Sequence, residues 1–224
     1  MPELWVTRRF KKGYSGARPD LNGMITGQPE RILDVGCGAG LNLALLCKAF
    51  PDSTVVGIDA SAHPELQSAE HIKFVQGKAE CPESLERLEA WGPYDLIIFA
   101  DVLEHLDDPW AALALYRKLL APSGRIITSI PNVRHYSTFV RLLFTDRWPR
   151  KSRGIHDRTH RHFFARRDIL DLGRSAGLSP TLEKRNVRLI EGTILSQPPA
   201  RLLDFWPFRP FVTFQYLHIW QVDR

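Results

Sequence analysis

Short apolar runs alternate with stretches of helical spacing along most of the chain. Residues 31–35, 55–58, 72–75, 96–99 and 125–130 read as strands, with amphipathic material between most pairs. Such alternation predicts parallel strands joined by helical crossovers, the α/β class. Residues 41–50 have helical spacing, and Pro51 closes that helix. Asp108 followed by Pro109 is an N-cap and first-turn pair, opening a helix through Leu120 that the Pro122-Ser123-Gly124 turn ends.

After Ile130 the pattern loosens. Residues 131–162 are too polar for a core element and too rich in Arg, His and Trp for a plain linker, so they are expected to form an insertion beside the active site. Regularity returns with a helix over 165–176, stopped by Gly177, and a strand from 178 to about 189. A proline-rich loop then leads to an alternating last strand over 211–222, and the two final strands suit an antiparallel edge. The expectation is therefore one domain over residues 1–224, with residues 1–29 as an N-terminal cap segment. Its architecture is a doubly wound, Rossmann-like, seven-stranded, mostly parallel sheet with an antiparallel last strand.

Composition narrows this picture. With 224 residues at 44% hydrophobic, the chain can bury one sizeable core and has little room for two. Cys37, Cys47 and Cys81 are odd in number and lack CxxC spacing, which speaks against a disulfide framework or a zinc knuckle. Residues 1–12 mix Arg8, Arg9, Lys11 and Lys12 with scattered apolar residues, unlike a secretory signal, and no window approaches the roughly 18 apolar residues of a membrane span. A soluble, cytoplasmic protein is expected. The net charge of +5 hides an asymmetry, because residues 147–167 hold eight Lys or Arg, three His and one acid, Asp157. That basicity is local, and it reads either as a solvated lid or as a site for an anionic acceptor.

Leu33-Asp34-Val35-Gly36-Cys37-Gly38-Ala39-Gly40 lies where the first strand ends and the first helix begins. Open α/β sheets bind ligands there, and glycines let the backbone turn tightly with no Cβ in the way. Asp59, 19 residues beyond Gly40, ends the second strand, where a carboxylate can accept both hydroxyls of a ribose. The dinucleotide fingerprint fails at Leu41, and no G-K-[ST] is present, which excludes a P-loop.

This turn, with Asp34 before it and Asp59 after it, resembles the S-adenosylmethionine (SAM) motif of class I SAM-dependent methyltransferases. The resemblance extends over about residues 14–180: Tyr14-Ser15-Gly16-Ala17-Arg18-Pro19-Asp20-Leu21, Ala100-Asp101-Val102-Leu103-Glu104-His105-Leu106, Leu119-Leu120-Ala121-Pro122-Ser123-Gly124-Arg125, Ser129-Ile130-Pro131-Asn132-Val133-Arg134-His135 and Asp157-Arg158-Thr159-His160 follow in order. They match a methyltransferase group, types 11 and 23, often found near glycosyltransferases. The resemblance implies SAM as cofactor, with Asp34, Gly36, Cys37, Gly38 and Gly40 around the methionine part, Asp59 on the ribose and Ala60 beside the adenine. Ala100 and Asp101 join that site. Lys78 fills the position where many relatives carry the acid for the adenine amino group, so Glu80 or the Ala79 backbone must serve instead. Tyr14 and Arg18 close over the cofactor, Arg18 pairing with its carboxylate in two hydrogen bonds; the alternative for Arg18 is a surface residue.

Methyl transfer from a sulfonium depends mainly on alignment, and a hydroxyl acceptor also needs its proton taken. His105 is the leading catalytic candidate, because a helical turn over 101–105 would put Asp101, Glu104 and His105 on one face. The alternative is packing or capping near Asp108. His160, in the insertion motif, is the second candidate, against a lid-stabilising hydrogen bond. Asn132 and His135, at the exit of the fifth strand, are weaker pocket candidates. Similar acid-acid-His segments hold a divalent ion in some small-RNA and ubiquinone-pathway methyltransferases, with His160 the later ligand here; the reading adopted has no metal. The leading function is O-methylation of a sugar or other hydroxylated small molecule, anionic ones included. RNA methylation, non-catalytic SAM binding and a nicotinamide oxidoreductase are the alternatives, and the chain lacks the aromatic and basic platform of an RNA binder.

Overall fold

The computed structural model describes residues 16–63, 66, 72–189 and 198–223. Seven strands form one sheet: β1 (Arg31–Val35), β2 (Thr54–Asp59), β3 (Ile72–Gln76), β4 (Tyr94–Ala100), β5 (Leu120–Pro131), β6 (Leu178–Val187) and β7 (Thr213–Val222). Their spatial order is β3-β2-β1-β4-β5-β7-β6, with β1 to β5 parallel and β7 antiparallel to both of its neighbours. Strand order reverses between β1 and its neighbours β2 and β4, so a crevice opens at the carboxyl ends of those strands.

Alternation along each strand sends residues to two cores. Leu33, Val35, Ile97, Phe99, Ile126 and Trp220 pack on one face, with the helices Pro109–Lys118 and Arg166–Ser175 contributing Leu113, Tyr116, Ile169 and Leu172. Ile32, Val55, Leu96, Ile98, Ile127 and Ile219 pack on the other, against Leu43 and Leu46 of the helix Leu41–Ala49. Gly173 permits the closest of these approaches: a Cβ there would lie 2.3 Å from the Trp220 ring. The indole N–H of Trp220 donates to Thr128 Oγ1 at 2.9 Å, which satisfies its one polar atom inside the core.

Three local expectations change. Residues 131–162 contain a helix, Tyr136–Thr145, which buries only Thr138 and so shows no apolar stripe turned to the core. Residues 122–124 do not separate helix from strand; β5 starts at Leu120, opposite Tyr94, and the register then shifts so that Arg125 faces Leu96. The last strand begins at Thr213, because Arg209–Val212 is a short helix. Among the described residues no helix is long and apolar enough to cross a membrane.

Candidate active site

A cavity of about 1410 Å³ lies over the carboxyl ends of β1, β2, β4 and β5. It exceeds the roughly 300–1,000 Å³ of an ordinary single-ligand pocket, so a cofactor and an acceptor have room side by side.

One half is built by backbone. Gly36, Gly38 and Gly40 have φ of 68°, 52° and 81°, the left-handed region that side chains disfavour. A Cβ on Gly36 would also sit 2.5 Å from Val102 Cγ2. The turn presses against β2, with Gly36 and Cys37 N–H both donating to the Ile58 carbonyl. Asp59 accepts from Gly38 N–H at 2.9 Å and Ser61 N–H at 2.8 Å, which fixes its carboxylate at the tip of β2 beside Ala60. Asp34 is buried and, among the described residues, accepts from the Asn42 amide at 3.2 Å; burial pushes its carboxyl up to about 7. Burial also raises the Cys37 thiol, which leaves it uncharged in the cavity wall.

Arg18 stands behind this half in a closed polar network. Its Nε and Nη2 donate to Asp20, Nη2 also to Ser129 Oγ, and Nη1 to Asp101 at 2.6 Å. Burial alone would lower the guanidinium's pKa, but Asp101 and Asp20 outweigh it and hold the value above the ordinary one. Of the five guanidinium hydrogens, partners among the described residues take four. In this arrangement one guanidinium hydrogen lies outside those bonds, and the two-bond grip expected on a cofactor carboxylate would require Arg18 to release one of them. Asp101 has φ of 59° and receives Ser129 Oγ–H at 2.7 Å and the Gln215 amide at 2.9 Å besides Arg18. Tyr14 lies outside the described residues.

The adenine end is also occupied in part by structural bonds. Glu80 accepts from the backbone N–H groups of Asp107 and Asp108, and the Ala79 carbonyl accepts from the Tyr116 hydroxyl at 3.1 Å. Both still line the cavity, as do Lys78 and Ala100.

The other half is built by side chains. Only Leu103–His105 is helical, a single 3₁₀ turn, and Asp101 precedes it with left-handed backbone. Asp101 consequently turns to Arg18, and the shared face expected for Asp101, Glu104 and His105 does not form. Glu104, His105 and His160 come together instead, each with a ligand-type atom within 4.8 Å of the others. The two imidazoles meet edge to face at 4.6 Å. His105 Nδ1–H points to the Thr159 carbonyl and hydroxyl oxygens, at 3.3 and 3.1 Å, and His160 Nδ1–H to the Ile155 carbonyl at 3.0 Å. Carbonyls only accept, so each Nδ1 carries the proton and each Nε2 carries the lone pair. Burial lowers both imidazole pKa values, and the neighbouring His105 lowers that of His160 further. Glu104 is buried, neither carboxylate oxygen has a hydrogen-bond partner among the described residues, and Oε1 lies 3.9 Å from His160 Nε2. Burial, and then the Asp101 charge, raise its carboxyl well above the usual range. Two imidazoles and a carboxylate are also a donor set that suits a divalent transition ion.

Asn132 and His135 stay outside the cavity. The Asn132 amide donates to the Pro210 and Thr213 carbonyls, both at 2.8 Å, and His135 bonds Ser137 and the Arg188 carbonyl while capping the helix Tyr136–Thr145. They fasten chain segments, which corrects their expected place in the pocket. Sequence reasoning missed Asn42, Ser129, Gln215 and Thr159. Gln215 occupies an ordinary alternating strand position, whereas Ser129 and Thr159 stood inside motifs that had been noticed without being assigned a role.

A family model described as a methyltransferase domain matches residues 8–183. The ubiquinone biosynthesis O-methyltransferase of Cereibacter sphaeroides is 31% identical over 175 residues, covering 74% of this chain and 66% of the relative, just under two thirds of its length. A SAM-dependent methyltransferase from Archaeoglobus fulgidus superposes with a TM-score of 0.60 at 18% identity, over 91% of this chain and 90% of that one. The 1,6-didemethyltoxoflavin-N1-methyltransferase of Burkholderia thailandensis, solved with its substrate and S-adenosylhomocysteine, gives 0.56 at 17% identity, over 92% and 75%.

Proposed function

Because the chain belongs to the class I SAM-dependent methyltransferases, we propose that it methylates a hydroxyl oxygen of a small anionic acceptor, a sugar or similar metabolite, with His105 as the base. The observation that carries this reading is the pair of neutral imidazoles on the wall opposite the glycine turn, with their Nδ1 atoms held by backbone carbonyls. The name of the Cereibacter relative favours oxygen as the acceptor atom.

The glycine turn, Asp59 and the 100–101 corner fit SAM: the left-handed glycine backbone bends tightly along the cavity wall without adding side chains to it, and Asp59 is fixed at the tip of β2, where the ribose would lie. Once bound, SAM supplies a methyl group already activated on a sulfonium. His105 Nε2 takes the proton as the acceptor oxygen becomes a nucleophile, and its lowered pKa keeps it unprotonated at neutral pH. His160 is the more enclosed ring, with a side chain 5% exposed, and lies between His105 and Glu104. Its ring packs edge to face on His105 and sets the position of that imidazole. Arg153 lines the same half of the cavity and complements an acidic acceptor, whereas Arg161 beside it is paired with Asp107. Holding acceptor and donor in line contributes about 7–11 kcal/mol to lowering the barrier.

His105→Gln tests the assignment. Turnover should fall by about 10² or more while S-adenosylhomocysteine affinity stays at its wild-type value. An unchanged rate removes His105 as the base. The acceptor is sought by incubating the protein with labelled SAM and fractionated metabolites; label found on nitrogen or carbon in place of oxygen refutes the O-methylation reading.

A second reading is favoured by the unpartnered oxygens of Glu104. Glu104, His105 and His160 would hold a divalent ion that polarises the acceptor hydroxyl, and chelation distinguishes it from the metal-free base.

A further inference from the structure

Large apolar side chains are concentrated on the surface of two segments. The helix Tyr136–Thr145 exposes Phe139, Val140, Leu143 and Phe144, the last two at 77% each. Residues 202–208 expose Leu202 and Trp206, the latter at 83%. Both segments lie at the edge of the sheet where the cavity opens, one leaving the carboxyl end of β5 and the other entering antiparallel β7. Phe139 and Phe211 join them through a ring contact of 5.7 Å, and the Arg134 guanidinium covers Phe211 at 5.5 Å.

Exposed aromatic and aliphatic groups on this scale mark an interaction surface. The charge around them selects the partner. Residues 134–153 and 198–211 together hold eight Lys or Arg against two Asp, more positive charge than the net +5 of the whole chain. Arg134, Arg141, Arg147, Arg150 and Arg153 are exposed among the apolar side chains. A second copy of this face would bring like charges together, whereas anionic lipid headgroups would meet the arginines and admit the apolar side chains below them.

We propose that this face docks the protein onto an anionic lipid surface, with the helix Tyr136–Thr145 lying in the plane of the headgroups and the cavity mouth turned toward the bilayer. The proposal stands on the surface alone, and vesicle binding is read without any acceptor, so its failure leaves the methyltransferase reading intact.

The full chain is sedimented with vesicles of phosphatidylcholine, with and without phosphatidylglycerol. Binding is expected only with phosphatidylglycerol and should weaken as salt is added. Arg141→Gln and Arg147→Gln should each reduce it about fivefold. The double variant Leu143→Asp and Phe144→Asp should abolish it while circular dichroism and urea unfolding remain those of the parent, since both side chains are exposed. Absence of binding to anionic vesicles at low salt overturns the proposal, as does equal binding to both vesicle types. A chain that light scattering finds dimeric, and that the double variant makes monomeric, assigns the face to a second copy and overturns it too.

Discussion

Asp101→Asn separates the charge of Asp101 from its shape. Asparagine tolerates the left-handed backbone, with φ of 59°, so the substitution leaves the corner after β4 unstrained. The carboxylate accepts on both sides, Oδ2 from Arg18 Nη1 and Oδ1 from Ser129 Oγ–H and the Gln215 amide. An amide has one accepting oxygen. If it faces Ser129 and Gln215, its NH₂ meets the Arg18 donor at 2.6 Å, and if it is flipped its NH₂ can donate to the Ser129 hydroxyl but meets the Gln215 NH₂. Either orientation opposes hydrogens to hydrogens. A hydrogen bond to a charged group contributes about 1.5–3 kcal/mol. Asp101 is 34% exposed and Arg18 keeps its contacts with Asp20, so solvent screening places the loss near the lower end, about 1.5 kcal/mol. Urea unfolding should show this as a lower midpoint with an unchanged slope. In a cycle with Ser129→Ala the two losses should fall short of additivity by at least about 0.5 kcal/mol. Stability within about 0.5 kcal/mol of wild type, or strict additivity, would refute the network as the support of this wall.

Three more outcomes follow from the same geometry. Asp34 has a folded-state pKa of about 7 against an unfolded value of 3.8, so its protonated form favours the fold and stability should decline as pH rises through that window, by up to roughly 4 kcal/mol; Asp34→Asn should flatten the slope in pH-dependent unfolding, and an unchanged slope would remove Asp34 as its source. Gly36→Ala combines left-handed strain of about 1–2 kcal/mol with a contact 2.5 Å from Val102, and adding Val102→Ala should recover the contact part alone; full recovery would mean the backbone is not strained. Chelation should leave turnover intact if His105 acts without metal, and activity lost to a chelator and restored by manganese or magnesium would establish the second reading.

The cofactor half of the site was legible because backbone builds it. Positive φ at Gly36, Gly38 and Gly40 demands glycine, and the tip of β2 demands that any carboxylate gripping a ribose sit at Asp59, so geometry is written directly as residue type. The strands were legible for the same reason, since alternation between two cores is the pleat itself. Gln215 carried no such mark, and Ser129 stood in a motif that did not disclose its role. Each occupies an inward strand position, where serine and glutamine look like any tolerated polar residue until Asp101 is seen to need them. The helix Tyr136–Thr145 carries an apolar stripe, Phe139, Val140, Leu143 and Phe144, but it lies in a segment otherwise rich in Arg and His, and the stripe faces solvent, so the segment as a whole read as too polar for a core element.

In the other half, the two histidines singled out from their motifs do come together, but not through the helical turn expected of residues 101–105. A helical turn over 101–105 would have grouped Asp101 with His105, but the left-handed residue at 101 breaks the turn and hands the carboxylate to Arg18. The partner that reaches His105 comes from 55 residues further on, and the chain secures it through backbone: Arg161 and His162 N–H both donate to the Glu104 carbonyl, at 2.8 and 3.1 Å. Those two bonds hold His160 beside His105 and close off Glu104 from water. Side chains delivered by two loops and fastened by main-chain bonds have no local signature, because neither loop specifies the contact by itself. The grouping of Glu104, His105 and His160 is therefore a property of the join between residues 101–108 and 153–162, and, on the proposed reading, substitutions that loosen that join should alter turnover before they alter cofactor affinity.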